Sequence, residues 1–280
     1  MVAPSSIVPR VRRIAAVASC AALACGALGL TSCTRHVEPG EPGRATGPPE
    51  VRPAAVFALG AQLDRRFDPR PAGSQRELLT ASYLVAHMAK VGYTVRLDSV
   101  PVANDVASAN VQALPPGLGD HPSVVVTAAY DTPRSGSRTG ATLGLWLELG
   151  RALLVAGVHD DELVALGADH AGVGEGQLGS RRLAKVLLDD GADPLIVTIG
   201  DIGRAPFFSA RGYRAETLER IARRSGIEVR PGVIPGPSPR HPDVMAEAGF
   251  HHVTVAGGAA QVGRVLLDLL HRAGLRAAPG

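Results

Sequence analysis

Residues 123–131, Ser-Val-Val-Val-Thr-Ala-Ala-Tyr-Asp, hold the key to the fold. Five residues of this run are Val, Thr or Tyr, and no charged residue alternates with them, so the segment predicts a strand covered on both faces. A carboxylate, Asp131, stands where it ends. Working outward, Thr94–Val100 and Ala109–Leu114 alternate like strands with one exposed face, whereas Glu162–Ala168 and Pro194–Ile199 are again continuous apolar runs. Between them lie helical segments: Ala141–Ala156 with Trp146, Leu149, Leu153 and Leu154, then Leu178–Leu188, Glu216–Arg224, Pro242–Ala248 and a closing Ala260–Ala273, with a last strand at His252–Ala256. Strands separated by helices of this length predict an α/β fold, a mostly parallel sheet with helices on both faces.

Upstream of the first strand, Ala54–Phe67 reads as a helix, broken by Asp68-Pro69-Arg70-Pro71-Ala72-Gly73. Ser74 with Glu77 three places on is a capping box that opens the next helix, and Gly92 closes it. Leu78, Leu79, Tyr83, Leu84 and Met88 recur at helical spacing and are expected on its buried face. Ligand sites in such sheets lie beyond the carboxyl ends of the strands, which directs attention to Asp131, Asp169-His170 and Asp201.

The N-terminus carries a different message. Arg10, Arg12 and Arg13 precede an apolar, alanine-rich stretch from Ile14 to Leu30, and Leu30-Thr31-Ser32-Cys33 follows. A basic region, an apolar region and small residues before a cut site make an export signal over 1–32, too short to favour a spanning helix. The cysteine just after the small residues resembles a bacterial lipobox, which implies lipidation of Cys33, anchorage to the membrane and an extracytoplasmic location. Cys20 and Cys25 leave with the signal, so Cys33 is the one thiol of the mature chain, and disulfides, a cysteine-ligated zinc site and a cysteine nucleophile are excluded together. Residues 33–53, rich in proline and glycine, read as a linker, and 54–275 as a single domain.

The chain has 280 residues with a net charge of +3; 45% are hydrophobic and 20% charged. These values exclude a disordered chain and a multi-span membrane protein. Lysine occurs only at Lys90 and Lys185, and the arginines are scattered without interleaved aromatics, so no nucleic-acid partner is expected.

Several segments carry a resemblance. Arg70-Pro71-Ala72-Gly73-Ser74, Val91-Gly92-Tyr93-Thr94-Val95, Ala109-Asn110-Val111, Val124–Asp131, Gly140-Ala141 with Leu147–Leu153, Gly179-Ser180-Arg181 and Ala246–Phe250 fall in the order of matching segments in the co-catalytic zinc aminopeptidases of metallopeptidase family twenty-eight. From about Ala54 to Arg272 the chain resembles that family, which implies a zinc-aminopeptidase-like, phosphorylase/hydrolase-like three-layer sandwich. The family pattern holds two divalent ions with a histidine two places before Asp131, where this chain has Ala129. The family's bridging aspartate falls on Leu143, and its paired glutamates, base then ligand, fall on Asp169 and His170. Its next aspartate falls on Gly200, or on Asp201 if the strand slips by one. Its final histidine belongs to a loop that Gly257-Gly258-Ala259-Ala260 lacks.

The resemblance therefore implies a degenerate member lacking most metal ligands. Asp169 and Asp131 remain as remnant catalytic residues, His170 and Asp201 as remnant metal ligands, with zinc the metal if there is one. It points to a non-catalytic binding or scaffolding protein of the cell envelope, a pseudoenzyme whose cleft would hold a peptide or an envelope fragment. The alternative is an active metallo-aminopeptidase or amidohydrolase with a rebuilt one-metal site of Asp169, His170, Asp201 and His241, Asp169 being the general base. A third reading is a purely structural envelope lipoprotein.

Other features read blandly. Asp131 is expected as a strand-end cap, Asp169-His170 as a loop pair satisfied by neighbouring amides, and Asp160-Asp161-Glu162 as a solvated turn. Gly172–Gly176 lacks the spacing of a phosphate-binding loop, Ser135 and Ser137 lack a nucleophile elbow, and His251-His252 are expected to point to opposite faces of a strand.

Overall fold

The structure is a computed structural model that describes residues 45–103, 106–133, 139–170, 176–203, 207–211, 215–224, 227, 229 and 241–274. The export signal, Cys33, most of the linker, Ser135, Ser137 and Gly172–Glu175 lie outside the described residues.

Among the described residues, seven strands and seven helices follow the order α1 (Pro53–Phe67), α2 (Gln75–Val91), β1 (Thr94–Ala103), β2 (Val106–Leu114), β3 (Val124–Ala129), α3 (Gly140–Val155), β4 (Asp161–Leu166), α4 (Leu178–Asp189), β5 (Leu195–Ile202), β6 (Phe207–Arg211), α5 (Ala215–Arg224), α6 (His241–Glu247), β7 (His252–Gly257) and α7 (Ala259–Gly274). They form one sheet in the order β1-β2-β4-β3-β5-β7-β6. The four inner strands β4, β3, β5 and β7 are parallel, while β1, β2 and β6 add antiparallel edges. The sheet is thus mixed, with the parallel part where the continuous apolar runs lie.

Alternation along the inner strands sorts their side chains into two cores. Val124, Val126 and Ala128 of β3, Leu163 and Ala165 of β4, and Val253 and Val255 of β7 pack with α1, α3 and α7. Val125 of β3, Val164 and Leu166 of β4 and Ile196 of β5 pack with Leu183 and Leu187 of α4 and Val244 and Met245 of α6. Helices on both faces follow directly, because a strand apolar on two sides must be covered on two sides.

α1 and α3 approach unusually closely, since glycines line both. A Cβ at Gly60 would lie 2.7 Å from Ala141 N, and one at Gly144 would overlap Val56 O. The end of the stretch read as a spacer is docked beside them. The Arg151 guanidinium donates to Thr46 O at 3.2 Å, Pro48 O at 2.9 Å and Glu50 O at 2.6 Å, and Arg52 pairs with Glu148 on α3 at 2.7 Å.

Three expectations need correction. Leu78 and Leu79 are 50% and 49% exposed, because the buried stripe of α2 runs through Glu77, Thr80, Ala81, Leu84 and Met88 instead. β6, a short edge strand, was not expected; its Phe-Phe-Ser-Ala-Arg carries no period, and its antiparallel pairing with β7 creates it. Asp161 and Glu162 are not a solvated turn: they open β4 and are 2% and 6% exposed. The strand register compels this, since Val124 and Val125 of β3 pair with Asp161 and Glu162 and carry them into the layer. Asp161 falls on the side of Leu163, towards α3, and Glu162 on the side of Val164, towards α4.

Burial pushes the carboxyls of Asp161 and Glu162 up to about 7, with Asp160 adding to the first and Arg96 opposing the second. A carboxyl that holds its proton more tightly folded than unfolded stabilises the fold below its ordinary range near 4. That stability is lost as the pH rises through 7. His87, pushed down by burial and by Lys90, acts in the opposite sense, losing stability as the pH falls below about 6.5. Thermal melting of the wild type and of Asp161→Asn/Glu162→Gln isolates the carboxyls. Between pH 5 and pH 8 the wild type should lose several degrees relative to the double variant; parallel melting curves at every pH contradict the assignment.

Candidate functional site

The site lies beyond the carboxyl ends of β3 and β4, and it is built on a buried carboxylate that belongs to neither. Glu77, in the first turn of α2, is fully buried. Ser74 Oγ accepts from Glu77 N at 3.2 Å, one half of the capping box. The Glu77 side chain does not return to Ser74. One oxygen accepts from Gly73 N, and the other accepts from Ser108 Oγ at 2.6 Å and from Ala168 N at 3.1 Å. Burial raises the Glu77 carboxyl above its ordinary value, and the bonds from Ser108, Gly73 and Ala168 offset part of that rise.

The bond to Ala168 has a local purpose. Ala168 has a φ of 50°, a left-handed conformation that costs a non-glycine residue of order 1–3 kcal/mol. Glu77 holds its N–H, and its carbonyl accepts from Leu178 N at 3.0 Å. Before it stands Gly167, where a Cβ would overlap Ser108 Oγ, so only glycine fits. Asn110 clamps the same turn, accepting from Gly167 N at 3.2 Å and donating to Gly179 O at 3.0 Å. The turn so fixed turns the chain from β4 into Asp169 and His170.

A second anchor is Arg70 of the Arg-Pro-Ala-Gly-Ser segment, also fully buried. Its Nε donates to Tyr130 O at 2.8 Å, its guanidinium reaches Thr139 Oγ1, and its backbone bridges Thr132. It lies 3.6 Å from Asp64 of α1. Burial lowers the Arg70 pKa, and the nearby carboxylates of Asp64 and Asp68 oppose that fall. Arg70 therefore ties α1 and the end of β3 to the start of α3.

Within this frame Asp131 faces Asp169 and His170. Asp131 accepts from Asp169 N at 3.0 Å and from His170 N at 3.1 Å, and its Oδ1 lies 3.0 Å from His170 Nδ1. The contact with His170 makes the ring nitrogen Nδ1 the protonated one and leaves Nε2 as the position for a proton or a ligand. Burial disfavours the imidazolium, but the bond to Asp131 and the charges of Asp131 and Asp169 prevail, so the His170 pKa is raised. Asp169 is fully buried, and its Oδ1 accepts from Ser180 N at 2.8 Å and from Ser180 Oγ. Burial pushes its carboxyl up to about 6 against those two bonds.

Of the four residues singled out by sequence, the structure gathers Asp131, Asp169 and His170. Asp201 is half-buried near the end of β5, where the β5–β7 register shifts between Ile199 and Ile202. Among the described residues no three His, Cys, Asp or Glu side chains are grouped so that they could hold a metal ion. The side chain of His241 lies outside the described residues.

Among the described residues, the donors present do not fit a pair of divalent ions. Ala129 offers a methyl group, Leu143 is fully buried in the core, and Gly258 alone joins β7 to α7. Sequence reasoning missed Glu77, Ser108, Asn110, Arg70 and Ser180 as parts of the site. The signal for Glu77 was its place beside Leu84 and Met88 on one helical stripe, a carboxylate among buried positions.

The sequence matches no protein-family model and no curated protein. Solved structures do share the fold. LapA aminopeptidase of Legionella pneumophila superposes with a TM-score of 0.65 at 10% identity, over 82% of this chain and 72% of its own. A putative zinc-dependent exopeptidase from Bacteroides vulgatus gives 0.61 at 18% identity, over 81% and 99%. Porphyromonas gingivalis glutaminyl cyclase gives 0.60 at 14% identity, over 79% and 98%. The fold is therefore zinc-aminopeptidase-like, an α/β sandwich shared by exopeptidases and glutaminyl cyclases.

Replacing Glu77 tests the frame. Glu77→Ala leaves the amides of Gly73 and Ala168 and the Ser108 hydroxyl without their acceptor in a buried place, and should cost roughly 3–5 kcal/mol in urea unfolding. Glu77→Gln keeps an acceptor oxygen and should cost less. Equal stability of Glu77→Ala and wild type contradicts the role given to this carboxylate.

Proposed function

We propose that this protein is an exported lipoprotein, held to the membrane through Cys33, whose zinc-aminopeptidase-like domain serves as a non-catalytic binding or scaffolding part of the cell envelope. The observation that carries the reading is the closure of the polar groups at the strand ends upon one another. Asp131 is engaged by two backbone amides and the His170 ring, and Asp169 by Ser180. In a hydrolase these groups would face a metal-bound water and the substrate. Here they secure the turn after β4, as a strand-end cap and a loop pair do. Ala129 and Leu143 stand where the resemblance asks for donors, and a methyl or isobutyl group has no lone pair to give.

Under this reading a peptide or an envelope fragment would be held beside Asp131 and Asp169, with His170 Nε2 the ring atom turned to it. Binding there needs no reaction, which agrees with a scaffold whose ligand-facing turn is rigidly braced. The linker before residue 46 would let the domain work at a distance from the bilayer. No helix among the described residues is long and apolar enough to cross a membrane; attachment on this proposal is through the lipid at Cys33.

Two assays on the full chain test the proposal. A panel of aminoacyl anilides incubated with the zinc-supplemented protein should show no turnover above the buffer rate. Turnover that disappears in Asp169→Ala establishes the rebuilt one-metal enzyme instead. Labelling of growing cells with a palmitate analogue should mark the wild type and not Cys33→Ala, and label retained by the variant refutes the anchor.

A further inference from the structure

At the opposite end of the sheet from Asp131, a cavity of about 430 Å³ lies between α4, the strands β1, β2 and β4, and the loop 115–122. This is the size of a small-ligand site. Glu162 lines it, and among the described residues its Oε1 has no hydrogen-bond partner although the residue is 94% buried (6% exposed). A carboxylate withdrawn from water without a partner is unfavourable unless a counter-charge meets it. Arg96 on the wall acts on Glu162 through its charge alone, being exposed and making no hydrogen bond to that oxygen. The other acidic groups of the lining, Asp120 and Asp190, add negative charge to that of Glu162, beside one guanidinium, Arg96, and the His121 ring.

We propose that this cavity binds a small organic cation, a primary alkylammonium, with Glu162 as the carboxylate that receives its N–H groups. The wall is mainly polar, which suits a cationic head; Leu114, Leu183 and Leu187 add a smaller apolar part for a short methylene chain, and Glu162 offers a charge at its end. A metal ion is a poorer occupant, since hard cations need several oxygen ligands and no such group of side chains exists among the described residues. An organic anion would meet the three carboxylates. The Glu162 carboxyl, held up to about 7 by burial against the pull of Arg96, must give up its proton to pair with the ligand, so binding releases a proton and strengthens with pH.

Titration of the full chain with n-butylamine, followed by methyl NMR of Leu183 and Leu187, tests this. Saturable shifts with a Kd on the order of 1 mM are expected, and n-butanol or butyrate should give none at the same concentration. Affinity should rise about tenfold from pH 6 to pH 8. Glu162→Gln, an isostere without the charge, should weaken binding about tenfold or more while keeping the wild-type circular dichroism. Arg96→Ala, at an exposed position, should bind a few-fold more tightly because a competing cation is gone. Absence of saturation, equal binding of n-butanol, or an unchanged Kd in Glu162→Gln or Arg96→Ala would each overturn the proposal.

Discussion

The fold rests on a charge kept where water does not reach. Glu77 sits under the strand ends and satisfies the amides of Gly73 and Ala168 and the hydroxyl of Ser108. Without it, the N–H of the left-handed Ala168 loses its acceptor, and the turn that aims Asp169 and His170 at Asp131 is left to Asn110 and to the Leu178 N–H. A buried carboxylate is stable only when its lone pairs are used, and here the backbone uses them. Everything above it, including the Asp131–His170 contact and the Asp169–Ser180 pair, inherits its geometry from that one bracket.

The consequence for function is a matter of supply and demand among polar atoms. A dinuclear metal centre demands ligands whose lone pairs face a common point, with spare donors around them. In this domain the polar atoms near the strand ends are committed to amides and to one another, and two positions that the resemblance assigns to ligands are hydrocarbon. The same arrangement adds rigidity, because each bond also fastens the turn between β4 and α4. On the proposed reading, a scaffold keeps the architecture shared with the exopeptidases and presents this braced turn as a fixed surface.

Much of the architecture was legible in the sequence because burial on two faces writes itself as an unbroken apolar run. Val124–Ala129, Asp161–Leu166 and Leu195–Ile202 became neighbouring parallel strands for that reason. The candidate site was legible as positions, Asp131 and Asp169-His170, but not as a network. Helical spacing cannot say that Glu77 rather than Leu78 faces inward, since what selects the face is the acceptor that Ser108 and Ala168 require, some thirty and ninety residues away in the chain. The charge run Asp160–Glu162 misled for a related reason: the register with Val124 and Val125 pulls two carboxyls into the layer, and register is a tertiary fact. β6 depended in the same way on β7 for its existence.

The central claim is that carbon stands where lone pairs would be needed, so that the braced cleft holds no metal pair. Zinc stoichiometry of the purified full chain, measured by plasma mass spectrometry after equilibration with zinc and exhaustive dialysis, addresses it most directly. The account predicts zinc far below one ion per chain, unaltered by His170→Ala. Two retained ions per chain, reduced by substitution at Asp131, Asp169 or His170, would contradict it.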